Sequence, residues 1–158
     1  MNEPTNPTDA AATTIKHAML AALGVGLVPF PVVDMAVLVG IQLNMLHKLA
    51  GIYGTDFSSE LGKEIIAASL ASVMPVSLSF NASYLLKFVP VYGWLLKGAS
   101  TSAFAGAFTY AVGKLFVQHF ESGNTFLTLD PQQVKAYFAS QFEQGKAEVS
   151  KSFVGVKP

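Results

Sequence analysis

Gly98-Ala99-Ser100-Thr101-Ser102-Ala103-Phe104-Ala105-Gly106-Ala107-Phe108-Thr109-Tyr110-Ala111 decides the fold class. Ala99, Ala103, Ala107 and Ala111 recur at every fourth position, with Gly98, Ser102 and Gly106 alongside. Residues four apart share one face of an α-helix. The stretch therefore predicts a helix over Gly98–Phe120 with a stripe of small side chains. Such a stripe lets two helix backbones approach closely, the main association device in lipid. Tight Ala-rich packing inside a water-soluble bundle would use the same stripe. No period-two alternation is sustained anywhere in the chain, so no sheet is expected.

Upstream, Ile65–Leu86 carries no charged residue over 22 positions, about the length that crosses a bilayer core. Five of those positions are Ser, one is Asn81, and Pro75 falls mid-segment, which makes insertion marginal. Tyr84, Lys87, Tyr92, Trp94 and Lys97 then cluster between the two apolar segments. Amphipathic aromatics and snorkelling lysines suit a membrane–water interface. A packed helix–helix turn with its aromatics in the core is the alternative. Folded as an antiparallel pair, Ile65–Leu86 and Gly98–Phe120 bring Lys87 and Lys97 to one end, with Glu64 and Glu121 at the other.

Nearer the N-terminus, Thr8 or Asp9 is a candidate cap for a helix over Ala10–Val28, stopped by Pro29-Phe30-Pro31. A second helix is expected from about Asp34 to Tyr53, with Asp34 capping its start and Gly54 a left-handed stop. Beyond Glu121 the character changes. Asp130, Pro131 and Gln133 read as cap, first position and capping-box partner of an amphipathic helix carrying Val134, Tyr137, Phe138, Gln141 and Phe142. The expected architecture is all-α: a bundle of about five to six hydrophobic helices built from helical hairpins, with a C-terminal amphipathic helix. It divides into a disordered tail (1–8), a helical-hairpin domain (9–121), and a loop with the amphipathic helix (122–158). The polar start, Met1-Asn2-Glu3-Pro4, lacks the features of a signal peptide.

Composition narrows the function classes. Of 158 residues, 51% are hydrophobic and only 13% charged, against about 25% charged in ordinary soluble domains. Net charge is zero and all ten basic residues are Lys, so nucleic-acid binding is not expected. With no Cys there is no thiolate chemistry, and no phosphate-binding loop or GxSxG elbow occurs. His17, His47, His119 and Asp34 are the candidate functional polar residues. The histidines fall on three different predicted helices without metal-ligand spacing, so neither a metal nor a cofactor is expected. Asp34 stands in an apolar stretch, where a carboxylate is costly unless capped, paired or wet.

Several runs together carry a family resemblance: Pro29-Phe30-Pro31-Val32-Val33-Asp34, then Gln42-Leu43-Asn44-Met45-Leu46 and Leu49-Ala50-Gly51-Ile52-Tyr53-Gly54. Later come Thr109-Tyr110-Ala111-Val112-Gly113 and Phe116-Val117-Gln118-His119-Phe120-Glu121-Ser122-Gly123. The chain resembles domain of unknown function family 697, which includes YcjF-like bacterial inner-membrane proteins. The resemblance implies a hydrophobic helical module, found in larger relatives C-terminal to Ras-like GTPase domains. No GTPase motif accompanies it here. The resulting expectation is a non-enzymatic adaptor on the cytoplasmic face of a bacterial inner membrane. Its expected partners are the lipid bilayer, a GTPase-domain protein and further copies of itself. A soluble cytoplasmic bundle serving as a binding module is the alternative.

Overall fold

A computed structural model describes the backbone over residues 6–26, 31–73, 93–123 and 131–154, and side chains over 6–26, 36–70, 102–123 and 137–152. The described residues form five helices and no strand: α1 (Pro7–Val25), α2 (Pro31–Tyr53), α3 (Ser59–Val73), α4 (Gly93–Glu121) and α5 (Pro131–Val154).

Local chemistry sets the helix ends. Asn6 caps α1, its side chain accepting from the Thr8 N–H at 3.2 Å, with Pro7 at the first position and Asp9 in the first turn. The helix thus starts three residues before the expected Ala10, and the cap is Asn6 rather than Thr8 or Asp9. Similarly, α2 starts at Pro31, because proline is tolerated in a first turn, where its missing N–H would be unpaired anyway. Asp34 is consequently the fourth residue of α2 and not its cap; its side chain lies outside the described set. Gly54 ends α2 with φ +67°, and its N–H donates to the Gly51 carbonyl while the Thr55 N–H donates to that of Ala50. That pair of bonds closes two otherwise unpaired carbonyls. Ser58 Oγ accepts from the Leu61 N–H at 3.4 Å to open α3. At the other end of the chain α5 begins at Pro131 as its spacing suggested, while Asp130 lies outside the described residues.

The central helix is α4, which packs on α5, α1, α2 and, less extensively, α3. Phe116, Val112 and Ala111 of α4, Met45, Leu46 and Leu49 of α2, Ile15 of α1 and Phe138 of α5 form the core, all almost fully buried. Edge-to-face ring pairs Phe108–Phe138 (5.4 Å) and Phe104–Phe142 (5.4 Å) join α4 to α5.

The small-residue stripe is consumed within the chain. A Cβ on Gly26 would stand 2.5 Å from the Ser102 Cα, and one on Gly145 would stand 2.7 Å from the Ala107 carbonyl oxygen. Backbone therefore meets backbone at the α1–α4 and α4–α5 crossings. Ser102 Oγ also donates 2.6 Å to the Leu23 carbonyl, one of the last four carbonyls of α1, which have no partner within their own helix. Ala111 is fully buried, Gly106 is covered by Leu23 and Val149, and Ala103 is half-buried beside them. Gly98 and Ala99 lie on α4, but their surroundings are outside the described set.

The expected membrane pair changes accordingly. Of Ile65–Leu86, only the part to Val73 is described, as α3. From Ala105 onward α4 is enclosed by the other helices, so its apolar residues are spent on protein. Among the described residues, one helical stretch is long and apolar enough to cross a membrane, Ala36–Tyr53 of α2 (mean hydropathy 1.2).

Candidate membrane-facing surface

Two ends and two sides of the bundle differ in chemistry. At one end the start of α1 and the ends of α2 and α4 converge on Glu121. Its Oε1 accepts from the Tyr53 hydroxyl at 2.8 Å and from Thr8 Oγ1 at 3.2 Å. Burial, reinforced by the Glu121 carboxylate, pushes the Tyr53 phenol up to about 12. Sequence spacing gave no hint of this knot, since it joins residues 68 and 113 positions apart.

Away from that end, charge disappears from three helices. No charged residue occurs from Ala18 to Val25 in α1, from Met35 to Leu46 in α2, or from Gly98 to Gly113 in α4. Helices α1 and α4 run antiparallel, with Ile15 against Gly113, Leu23 against Gly106 and Ser102 at Gly26. The charge-free stretches therefore lie side by side. Their exposed positions on α1 and α2 are Leu20, Ala21, Gly24, Ala36, Val37, Gly40 and, at the end nearer Glu121, Asn44. Leu20 and Val37 are the exposed large apolar side chains, at 43% and 40%. Of the Ala36–Tyr53 stretch, 28% is buried inside the bundle, so α2 is not a helix enclosed by its neighbours.

Helix α5 crosses the same charge-free stretch of α4, meeting α1 where Val149 and Leu23 both cover Gly106. Gly145 sits on Ala107 and Val149 on Gly106. Outward from those contacts α5 exposes Ala139, Ser140, Glu143, Gln144, Lys146, Ala147, Ser150 and Lys151. Lys146 pairs with Glu143 at 2.7 Å and Lys151 with Glu148 at 2.8 Å. Along the same stretch of α4, then, one side shows no charge, and the other shows ion pairs.

The four polar candidates do not converge. His47 is exposed, its ring edge-on to Phe57 at 5.1 Å, and half-buried His119 lies against Phe120. Asp34 is 13 residues from His47 on the same helix, roughly 20 Å along its axis. His17, exposed, lines a groove between α1 and α2 with Thr14, Ala18, Ala21, Ile41, Asn44, Met45 and Lys48. Among the described residues no group of three or more His, Cys, Asp or Glu is placed to hold a metal. Of the expected interfacial anchors, Tyr84, Lys87 and Tyr92 lie outside the described residues; Trp94 and Lys97 belong to the first turns of α4, without described side chains.

The model of one protein family, domain of unknown function (DUF697), matches residues 5–147. The chain belongs to that family. Within the match fall all of α1 to α4 and most of α5, so the DUF697 unit includes both the charge-free side and the ion-paired side. A curated relative, magnetosome membrane protein 22 of Magnetospirillum gryphiswaldense, is 39% identical over 142 residues, covering 89% of this chain and 73% of that protein. No solved structure matches the chain.

Proposed function

We propose that this DUF697 chain is a membrane-associated helical adaptor without catalytic machinery of its own. The outer side of α1 and α2 rests in the bilayer, and α5 faces water. One observation carries the proposal: the exposed residues of Ala18–Val25 and Met35–Leu46 are uncharged and, apart from Asn44 at the groove, apolar or small, while α5, packed over the same stretch of α4, exposes charged pairs. A side resting in hydrocarbon must withhold charge, because a charged side chain there is costly. The membrane relative supports the same reading. In this proposal Tyr84, Lys87, Tyr92, Trp94 and Lys97 are the interfacial anchors, the bilayer is a bacterial inner membrane, and α5 on the cytoplasmic side offers its charged surface to a protein partner of the GTPase-domain type. Self-association needs a surface other than the stripe at Ser102, Gly106, Ala107 and Ala111, which is already enclosed. Fractionation and membrane flotation of the native, untagged protein tests the proposal. It is expected to float with the membranes; recovery wholly in the soluble fraction overturns the reading.

A second reading, a soluble bundle acting as a binding module, draws on α4. Its apolar residues are buried by the chain's other helices rather than left to lipid. Under it, the Leu20–Val37 side would be a protein-docking surface, and the same flotation separates the two.

A further inference from the structure

We propose that the groove between α1 and α2 seats the phosphate headgroup of an anionic phospholipid, with an acyl chain leaving along the groove toward the charge-free end. This rests on the membrane-facing reading above and names the lipid class that this side recognises.

The groove has a volume of about 230 Å³ and a polarity that changes along its length. The start of α1 and the end of α2 both meet Glu121, so the two helices run antiparallel; of the groove's residues, Thr14 and His17 of α1 fall with Lys48 and Asn44 of α2 toward that end, and Ala21 with Ile41 away from it. One end thus offers the Lys48 ammonium and the His17 ring N–H, with the Asn44 amide beside them. The Thr14 hydroxyl is committed to the Ala10 carbonyl at 2.9 Å. The other end offers only Ala18, Ala21, Ile41 and Met45. A free phosphate would use the first end and gain nothing from the second. A phospholipid uses both. Pockets that enclose a whole small ligand run to roughly 300 Å³ or more, so this open groove suits a headgroup phosphate and the start of one chain, the rest lying in the bilayer.

Charge complementarity points to an anion. After Asp9 no carboxylate occurs in α1, and after Asp34 none occurs in α2. Among the described residues neither Lys48 nor His17 is ion-paired, although Lys146 and Lys151 each have a partner. The cationic end of the groove also lies where the charge-free stretches begin, the depth at which headgroups meet acyl chains.

The test measures partition of the purified chain onto phosphatidylcholine vesicles with and without added phosphatidylglycerol, at constant ionic strength. The wild type should bind both and prefer the anionic vesicles. Lys48→Ala should lower partition onto the anionic vesicles by about fivefold, the effect of roughly 1 kcal/mol for one basic side chain at an anionic surface. It should leave phosphatidylcholine binding unchanged, and Lys48→Arg should restore the preference. Ala21→Phe fills the apolar end, and should abolish the preference while keeping or raising phosphatidylcholine binding. Lys63→Ala, on exposed α3, should change partition less than twofold. A Lys63→Ala loss equal to that of Lys48→Ala would mean diffuse electrostatics and overturn the groove. So would a preference surviving both groove variants. Displacement from anionic vesicles by inorganic phosphate replacing chloride would make this a free-phosphate site instead. Failure to bind any vesicle would sink the membrane-facing reading itself, a result distinguishable from loss of the anionic preference alone.

Discussion

The α1–α2 side and α5 pack against the same helix at the same depth, yet they present different chemistry outward. Leu20, Val37, Ala36 and Gly40 face out on one side; Lys146, Glu143 and Lys151 face out on the other. Inward they are alike: Ile15, Leu23, Met45, Phe138 and Val149 are all buried. Inward packing depends on shape and apolar area whatever the outer solvent, so it carries no information about a membrane. Only the outward residues report the medium. In the proposed arrangement an apolar helix need not be one that meets lipid: the small-residue stripe of α4 serves close approach to α1 and α5.

The largest expected effects come from breaking those approaches. Gly145→Leu would drive a side chain into the Ala107 backbone and should cost about 3 kcal/mol, the upper end of overpacking penalties, read as a lower urea midpoint. Gly26→Leu should do the same at Ser102. Wild-type midpoints in both variants would mean that the crossings are looser than described. Ala107→Leu should likewise outweigh Ala103→Leu, because Ala103 is only half-buried.

Next in size is a change in membrane association without a change in fold. Leu20→Glu or Val37→Glu should alter stability by less than about 0.5 kcal/mol, as exposed substitutions do. Each should cut vesicle partition by about tenfold or more, since a charge in hydrocarbon costs roughly 2.5 kcal/mol on insertion scales. Ser140→Glu on α5 should leave partition unchanged. Equal losses from both sides would erase the distinction between them.

Smaller effects lie at the polar end. Folding raises the Tyr53 phenol from 10.0 to about 12, so the neutral phenol is favoured in the folded state. Its contribution is fully present below pH 10 and is lost as pH rises through about 12. Tyr53→Phe should flatten that part of a stability–pH curve; an unaltered curve would remove the Glu121 contact from the account. Smallest of all, Gln42 is buried in α2 with no hydrogen-bond partner for its Oε1 among the described residues. Gln42→Met should be neutral or stabilising by up to about 1 kcal/mol in thermal melts, because a buried acceptor without a partner carries its desolvation cost uncompensated.

Much of the helical order was legible in the sequence. Gly54, Pro131 and the Gly98–Ala111 stripe each announce local conformation, and local conformation is set by nearby residues. The start of α2 was misplaced because Pro31, taken as a stop for the preceding helix, also opens the next one. The surface proposed to face lipid was not legible. Apolar length marks Ile65–Leu86 and Gly98–Phe120 equally well for burial in protein or in lipid, and for α4 only its tertiary neighbours show which applies. His17 was one of four polar candidates. Its pairing with Lys48 across a groove depends on the α1–α2 register, which no spacing within one helix encodes. The Thr8–Tyr53–Glu121 knot was invisible for the same reason.

The chain contains no cysteine, so single labels can be placed without background. Val37→Cys and Ser140→Cys, each carrying a nitroxide, would be compared on membranes for accessibility to oxygen and to a polar nickel complex. A label at 37 reached by oxygen and shielded from nickel, with a label at 140 open to nickel, is the predicted result. Equal access to nickel at both positions would contradict the claim that the α1–α2 side rests in lipid.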